Sequence, residues 1–315
     1  MEEFIPQILA QHREWEFASV ASDSALVPVP KCEGTSIPAF ICEWTGALSG
    51  SVAISGSKNV GLKLLTLSPL FREPIRFCNV PANNQVRYMI DILRSFGIRV
   101  RPEQTDGTQS GLDVVIDAGN VSRDAFSYEE IRHCRHVFLL AISVLLRKGT
   151  VTIPLPGYSH YGPRPVDGQL SILRQLGVIV HPVREGRVCL EIPSNGLRGS
   201  EIFLPFPSNA VTEAVLWTAV AAKGTTTISG AASEPETIDL IRFLKTAGAA
   251  IEGIGTPLLT VYGNGLESLS SPSRFTVLGD RIETATFAAG VAICGGSVEL
   301  RGVPSDVLGA IRGVL

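Results

Sequence analysis

The sequence predicts an α/β fold built from a repeated unit. A connector pattern recurs four times: an apolar run, a Pro or small residue, and a helix-like segment that usually ends at Gly. Its anchor residues lie 75, 76 and 72 residues apart, too regularly for coincidence. They are Pro81, Pro156, Ala232 and Pro304. Each unit also contains a helix-like segment that is apolar nearly all round, such as residues 137–146, and such segments are predicted to be buried beneath sheets.

The elements of the unit follow in the order βαβαββ. In the first unit we expect strands at residues 51–54, 75–79, 98–101 and 113–117, with helices at 58–70 and 86–96. In the second unit we expect helices at 128–147 and 166–176, a strand at 151–153, and a closing hairpin of 178–182 with 188–192. The third unit runs from 201 to 262, and residues 1–36 match no part of the repeat, which predicts a poorly ordered N-terminal extension.

A fourth unit begins near Arg274 with a helix at 284–293 and a strand at 298–300. The sequence ends at Leu315, inside the expected second helix of this unit. We therefore expect either a fragment boundary or the loss of the rest of a lobe. In both cases the residues after 272 are predicted to pack poorly and to expose apolar side chains such as Phe287, Val291 and Ile293.

Composition narrows the class of protein. The 315 residues are 45% apolar and 18% charged, as expected of a globular protein with a large core. The net charge of −3 and 7% aromatic content provide neither a basic footprint nor stacking platforms, so we expect no nucleic-acid partner. No apolar run has the length of a membrane span and Met1-Glu2-Glu3 does not start a signal peptide, so the prediction is a cytoplasmic protein without a membrane partner. Six scattered cysteines without CxxC spacing indicate neither zinc nor disulfides.

One connector is longer than the others. The anchor precedes the closing Gly by 16 residues in the first and third copies and by 21 in the second, because residues 157–164 are inserted at the turn. A lengthened loop on a regular scaffold predicts a functional segment.

The first helix of each unit opens on a polar cluster, at residues 56–59, 132–136, 208–212 and 279–284. A helix N-terminus presents free N–H groups and the positive end of the dipole, which favours a bound anion. Helix capping is the alternative explanation for Ser, Asn and Asp at such positions. Lys58 and Arg135 are not explained by capping, because a cation opposes the dipole unless an anion is recruited.

Four motifs taken in order resemble the UDP-N-acetylglucosamine enolpyruvyl transferase (1-carboxyvinyltransferase) family, which is related to enolpyruvylshikimate-phosphate synthase. They are Gly56-Ser57-Lys58-Asn59, Arg164-Pro165-Val166-Asp167, Glu234-Pro235-Glu236 and Asp280-Arg281-Ile282-Glu283-Thr284. The resemblance extends from about residue 40 to 315 and implies lobes that are each an inside-out α/β barrel of three βαβαββ units. It implies one complete lobe at 51–271 and a partial second lobe formed by 37–50 with 272–315.

The resemblance also implies an activity. The family transfers the enolpyruvyl group of phosphoenolpyruvate to UDP-N-acetylglucosamine in peptidoglycan precursor synthesis, with release of phosphate and without a metal or other cofactor. By matching position, Lys58 and Asn59 would contact phosphoenolpyruvate, with Lys58 also catalytic, and Arg135 and Arg164 would neutralise the anionic groups. The uridine-nucleotide sugar would be bound by the remaining matched positions. They are Pro165, Val166 and Asp167 at the uracil, Ser208 and Asn209 at the diphosphate, and Asp280 and Glu283 near the lobe junction, with Gly168 as a further substrate-binding residue.

The sequence departs from the family at three places. Ser159 stands where the family usually has a proton-donating Cys, and a hydroxyl is a far weaker acid unless a partner such as His160 supplies the proton. Phe206 matches a lysine that contacts the diphosphate. The family's general-base aspartate and further arginines come from a later part of the second lobe. Two alternatives stay open, a related transferase for another nucleotide acceptor and a nucleotide-sugar-binding pseudoenzyme.

Overall fold

The computed structural model describes residues 18–19, 41–42, 46–104, 111–155, 158–159, 162–163, 166–303, 309 and 313. The helices are α1 (Lys58–Leu67), α2 (Asn84–Ser95), α3 (Tyr128–His133), α4 (Val137–Lys148), α5 (Asp167–Gln175), α6 (Asn209–Ala221), α7 (Pro235–Thr246) and α8 (Arg281–Cys294). The first nine strands are β1 (Ala18–Ser19), β2 (Ile41–Cys42), β3 (Leu48–Ala53), β4 (Ile75–Val80), β5 (Arg99–Gln104), β6 (Leu112–Asp117), β7 (Thr150–Pro154), β8 (Tyr158–Ser159) and β9 (Gly162–Pro163). The others are β10 (Ile179–Val180), β11 (Arg187–Glu191), β12 (Glu201–Phe203), β13 (Lys223–Ser229), β14 (Ala250–Glu252), β15 (Leu258–Asn264), β16 (Arg274–Thr276) and β17 (Gly296–Arg301).

The mixture of helices and sheets confirms the predicted α/β class. The βαβαββ order is present from β3 to β6 and again from β12 to β15. In the second unit the first strand is reduced to a single bridge between Ala125 and Thr152. The repeat therefore holds in the order of elements, with one strand shortened.

Two four-stranded sheets share one topology. Their strand orders are β16-β4-β6-β5 and β12-β13-β15-β14. In each sheet the first pair is parallel and the other pairs are antiparallel. The prediction placed the first strand of the first unit at residues 51–54, but β3 pairs with β17 and β16 occupies the equivalent position. Hydrophobic periodicity identifies a strand without identifying its partner, which explains the difference.

Three helices form the centre of the core. The helix α4 contacts both α1 and α6. Residues 137–146 of α4 and 212–220 of α6 are all buried, as are 60–67 of α1. The prediction that apolar first helices lie inside the domain is confirmed for these three.

The prediction that the first helices are buried is wrong for α8, where the only buried residue is Thr284. Ile293 is 84% exposed and Phe287 is 38% exposed, which confirms the companion prediction of an exposed apolar face after residue 272. Val291 is only partly exposed. The helix predicted at 128–147 is also interrupted, because Cys134 is extended (φ −143°, ψ 108°) and separates α3 from α4. This interruption gives α4 its own N-terminus directly after Arg135.

The chain divides into two compact units. One comprises Met1–Gly50 and Ala288–Val298, and the other comprises Ser51–Phe287 and Glu299–Leu315. In the smaller unit the Leu48 N–H donates to the Gly295 carbonyl over 2.9 Å. The larger unit contains the core helices and all the described residues of the candidate site. None of the helices in the described part of the chain has both the length and the apolarity needed to cross a membrane.

Candidate anion-binding site

The start of α1 is held by an antiparallel bridge between Gly56 and Gly279. The Ser57 N–H donates to the Leu278 carbonyl over 2.6 Å. A Cβ at Gly56 would lie 1.8 Å from the carbonyl oxygen of Asn79, so only glycine fits at this close approach. Lys58 is thereby fixed as the first residue of α1.

The Asp280 carboxylate caps two helices. Its Oδ2 accepts from the Lys58 N–H over 3.1 Å, and its Oδ1 accepts from the N–H groups of Ile282 (2.7 Å) and Glu283 (3.1 Å). The Glu283 carboxylate accepts from the Ser55 N–H over 3.1 Å and from the Ser55 hydroxyl over 2.6 Å. Both acidic residues therefore hold the start of α1 against the start of α8. This structural role agrees with the alternative explanation that polar residues at these helix starts serve as caps.

The positive charges of Lys58 and Arg135 both affect the pKa of the Cys134 thiol. Burial raises the pKa of Cys134 to about 11, and the positive charges of Arg135 and Lys58 oppose this rise. Arg135 is exposed and Lys58 is half-buried. Lys58 begins α1 and Arg135 lies just before α4, and these two helices pack against each other. That the two cations meet at one anion stays a prediction.

The start of α6 lies at the same end of the helix cluster. Glu213 of α6 and Lys63 of α1 form an ion pair in which both residues are buried, at 1% and 4% exposure. Each lies in the second turn of its helix, so the two helices begin at the same level. Burial raises the pKa of Glu213, while Lys63 and, more weakly, Arg135 lower it.

The remaining predicted residues of the nucleotide site lie at the starts of α5 and α6. Ser208 is the N-cap residue of α6, and the Asn209 side chain accepts from the Thr237 hydroxyl over 3.3 Å. A Cβ at Gly168 would lie 3.1 Å from the Val211 side chain, which shows that the first turns of α5 and α6 are adjacent. Val166, Asp167 and Gly168 are thus brought beside the start of α6. Asn59 lies half-buried in the first turn of α1.

The lengthened loop forms a small hairpin in which Ser159 pairs with Gly162. The side chain of Ser159, and all of His160, Arg164 and Pro165, lie outside the described residues. The predicted convergence of Arg164 with Lys58 and Arg135 therefore stays a prediction.

The helix α7 holds the chain on either side of Gly279. The Arg281 guanidinium donates to the Glu236 carboxylate over 2.8 and 3.3 Å, and the Asp239 carboxylate accepts from the Leu278 N–H over 3.2 Å. The predictions from the sequence include no role for Glu236, for Asp239 or for the Lys63–Glu213 ion pair. The signal for the pair was available, because a single charge inside an apolar helix pattern requires a buried partner.

Phe206 lies two residues before the α6 N-cap and is 67% exposed. It presents an aromatic face, not a cation, beside the diphosphate position predicted for Ser208. The neighbouring Phe203 is also exposed.

Buried helices that pack against mixed sheets define the class as an α/β protein. The chain matches the family described as EPSP synthase (3-phosphoshikimate 1-carboxyvinyltransferase) over residues 43–315, and it belongs to that family.

Curated relatives agree with the resemblance found in the sequence. The UDP-N-acetylglucosamine 1-carboxyvinyltransferase of Paracoccus denitrificans is 36% identical over 271 residues, covering 86% of this chain and 62% of the relative. The protein of the same name from Gloeobacter violaceus is 38% identical over 264 residues, covering 84% of this chain and 55% of the relative. The chain therefore spans less than two thirds of the length of these relatives.

Solved structures share the fold. The enolpyruvyl transferase NikO from Streptomyces tendae superposes with a TM-score of 0.69 at 22% identity, covering 81% of this chain and 58% of that one. The EPSP synthase from Acinetobacter baumannii gives a TM-score of 0.65 at 19% identity, covering 86% and 59%.

Proposed function

We propose that the protein is a transferase that moves the enolpyruvyl (carboxyvinyl) group of phosphoenolpyruvate to UDP-N-acetylglucosamine, a step of peptidoglycan precursor synthesis. The observation that carries the proposal is membership of the family over residues 43–315, and the names of the curated relatives agree with it. The placement of Lys58 at the start of α1 and of Arg135 just before α4, two helices that pack against each other, supports it as well. Both substrates are charged metabolites of the cytoplasm, which is the location that the proposal implies.

The proposal assigns the groups as follows. Phosphoenolpyruvate and the other anionic groups are bound by Lys58, Asn59, Arg135 and Arg164. The uridine nucleotide is bound by residues 165–168, and its diphosphate by Ser208 and Asn209. Asp280 and Glu283 fix the start of α1, and through it Lys58. No metal or other cofactor is part of the proposed reaction.

The reaction adds a proton to the methylene carbon of phosphoenolpyruvate, which becomes a methyl group, while the acceptor hydroxyl loses its proton to a base and its oxygen bonds to the neighbouring carbon. Loss of phosphate and of one methyl proton then restores the double bond. Ser159 lies in the loop that would supply the first proton. Because a serine hydroxyl is too weak an acid alone, the proposal requires a partner such as His160.

The same proposal includes the finer architecture. We infer that residues 51–271 form one inside-out α/β barrel lobe of three repeats and that 37–50 with 272–315 begin a second lobe. The three buried helices support this inference. The sheet β16-β4-β6-β5 also draws residues 274–276 into the first lobe.

A second candidate is a transferase for another nucleotide acceptor, favoured by the exposed Phe206 beside Ser208. An aromatic ring can stack on a base but cannot neutralise a diphosphate. A nucleotide-sugar-binding pseudoenzyme is the third candidate, favoured by Ser159.

The test incubates the protein with phosphoenolpyruvate and either UDP-N-acetylglucosamine or UMP, and follows phosphate release and the enolpyruvyl product by mass spectrometry. Product from the sugar nucleotide is the expected result. Product from UMP alone supports the second candidate, and binding of the sugar nucleotide without product supports the pseudoenzyme. Absence of nucleotide binding by calorimetry overturns all three.

A further inference from the structure

The Glu234-Pro235-Glu236 motif contains an acid that neither the fold nor the proposed reaction uses. Glu234 is the N-cap residue of α7, yet its side chain makes no capping hydrogen bond. Its Oε2 atom is buried and has no hydrogen-bond partner within the described structure. A carboxylate oxygen without water or a donor is unfavourable, so such an atom calls for an explanation.

The two other acids at the start of α7 behave differently. Glu236 is paired with Arg281, and Asp239 accepts from the Leu278 N–H. These contacts hold the chain around Gly279. Glu234 is thus the acid in this part of α7 that is left with an unpaired buried oxygen.

Glu234 lies at the candidate site. The pKa of Glu213 is raised mainly by burial and also by the charge of Glu234. The pKa of Arg281 is raised mainly by its hydrogen bond to Glu236 and also by the charge of Glu234. The Glu234 carboxylate is therefore in electrostatic reach of the second turn of α6 and of the start of α8.

Hydrogen bonds on both sides of Glu234 hold it against the start of α6. The Ala232 N–H donates to the Thr212 hydroxyl over 3.0 Å, and the Thr237 hydroxyl donates to Asn209 over 3.3 Å. Asn209 is one of the residues proposed to bind the diphosphate. Glu234 consequently lies next to the nucleotide end of the site.

The chemistry of Glu234 is opposite to that of its surroundings. Helix N-termini, Lys58 and Arg135 donate hydrogen bonds and favour anions, whereas an ionised carboxylate only accepts and repels phosphate. A ligand that satisfies both must carry a neutral donor, such as a hydroxyl or amide N–H, close to its phosphates. The sugar of a nucleotide sugar is such a group.

We propose that Glu234 is a binding residue for the acceptor substrate and accepts a hydrogen bond from a hydroxyl or amide N–H of its sugar. This inference rests on the proposed function and names the part of the acceptor that the acid recognises.

The test compares two probes, UDP-N-acetylglucosamine and UDP, by isothermal titration calorimetry. We expect Glu234→Gln to weaken binding of the sugar nucleotide by about tenfold, the effect of losing a charge-assisted hydrogen bond. UDP should bind as tightly as before or more tightly, because the substitution removes a charge that repels phosphate. Glu234→Asp withdraws the carboxylate by one methylene and should also weaken only the sugar nucleotide. The matched control is Glu252→Gln, since Glu252 is exposed and bonds to the Tyr262 hydroxyl.

Three outcomes overturn the inference. Unchanged affinity for the sugar nucleotide in folded Glu234→Gln and Glu234→Asp would mean that solvent satisfies Oε2. Equal losses for UDP and the sugar nucleotide, with a lower melting temperature, would mean a structural role. If the unmodified protein binds neither probe, the proposed function fails and this inference falls with it. In the first two outcomes the unmodified protein binds the probes, so only this inference fails.

Discussion

At the scale of single residues, the carboxylate of Asp280 determines which backbone N–H groups at the start of α1 are available to a ligand. It already accepts from the Lys58 N–H, one of the donors that a helix start offers. A ligand anion therefore depends on the Lys58 side chain and the next N–H groups of the turn. This division explains how a cation is tolerated at a helix start, since Asp280 supplies the negative charge that the dipole favours.

Arg135 is the exposed cation that follows the break between α3 and α4, and we predict that Arg135→Ala weakens binding of UDP-N-acetylglucosamine. The expected loss is about 1.5–3 kcal/mol, as for a charge-assisted hydrogen bond. Calorimetric titration measures it. Arg132→Ala is the matched control, because Arg132 is also exposed and lies three residues earlier, in α3. Equal effects of the two substitutions would show a general electrostatic contribution and contradict a specific contact.

At the scale of elements, the Lys63–Glu213 pair sets the alignment of α1 with α6. A buried ion pair is satisfied at one register only, so it adds a specific alignment to the apolar packing. The sequence showed Lys63 and Glu213 as isolated charges in apolar runs. Partner identity could not be predicted from it, because the residues are 150 positions apart and the pairing depends on tertiary packing.

We predict that breaking this pair destabilises the protein more than removing it. Lys63→Met leaves Glu213 buried without its partner, and the expected cost is about 3–5 kcal/mol. The double substitution Lys63→Met with Glu213→Leu removes both charges and should recover most of that loss. Urea unfolding of the two single variants and the double variant measures the coupling. Additive losses in the double variant would argue against a stabilising interaction between these two side chains.

Asp239 on α7 makes the stability of the protein depend on pH. Burial raises its pKa from 3.8 to about 6, opposed by the hydrogen bond from the Leu278 N–H. Because the native state holds the proton more tightly than the unfolded state, the stabilisation is complete below about pH 4 and is lost as the pH rises through 6.

We therefore predict that Asp239→Asn, which keeps an acceptor for Leu278, is more stable than the natural protein above pH 7, by at most about 3 kcal/mol. The advantage should vanish near pH 4. Thermal unfolding across that range measures it, with Asp91→Asn as an exposed control on α2. A difference in stability that does not vary with pH would contradict the assignment to Asp239.

At the scale of the whole molecule, repeats and amphipathic patterns predict which elements exist more reliably than which elements meet. The burial of α4 followed from the apolar run at 137–146, and the βαβαββ order followed from the anchor spacing. The exchange between β3 and β16 did not, since a local pattern identifies a strand without identifying its partner. Lys58 and Arg135 stand out in the sequence as candidate site residues because a cation at a helix start is locally anomalous. Glu236 and Asp239 are ordinary acids on an amphipathic helix until their contacts are known.

The difference in burial between α4 and α8 predicts a difference in dynamics within the chain. The apolar sequences of both helices predict burial. In the structure all of residues 137–146 are buried, whereas in α8 only Thr284 is buried. Hydrogen exchange of core helices requires large-scale opening, whereas a helix with few buried contacts opens locally. We predict that amides at 138–146 exchange at least a hundredfold more slowly than those at 286–293, measured by mass spectrometry of peptic fragments. Similar protection in the two helices would mean that the apolar face of α8, with Phe287 and Ile293, is covered in solution, and analytical ultracentrifugation would then test whether a second copy covers it.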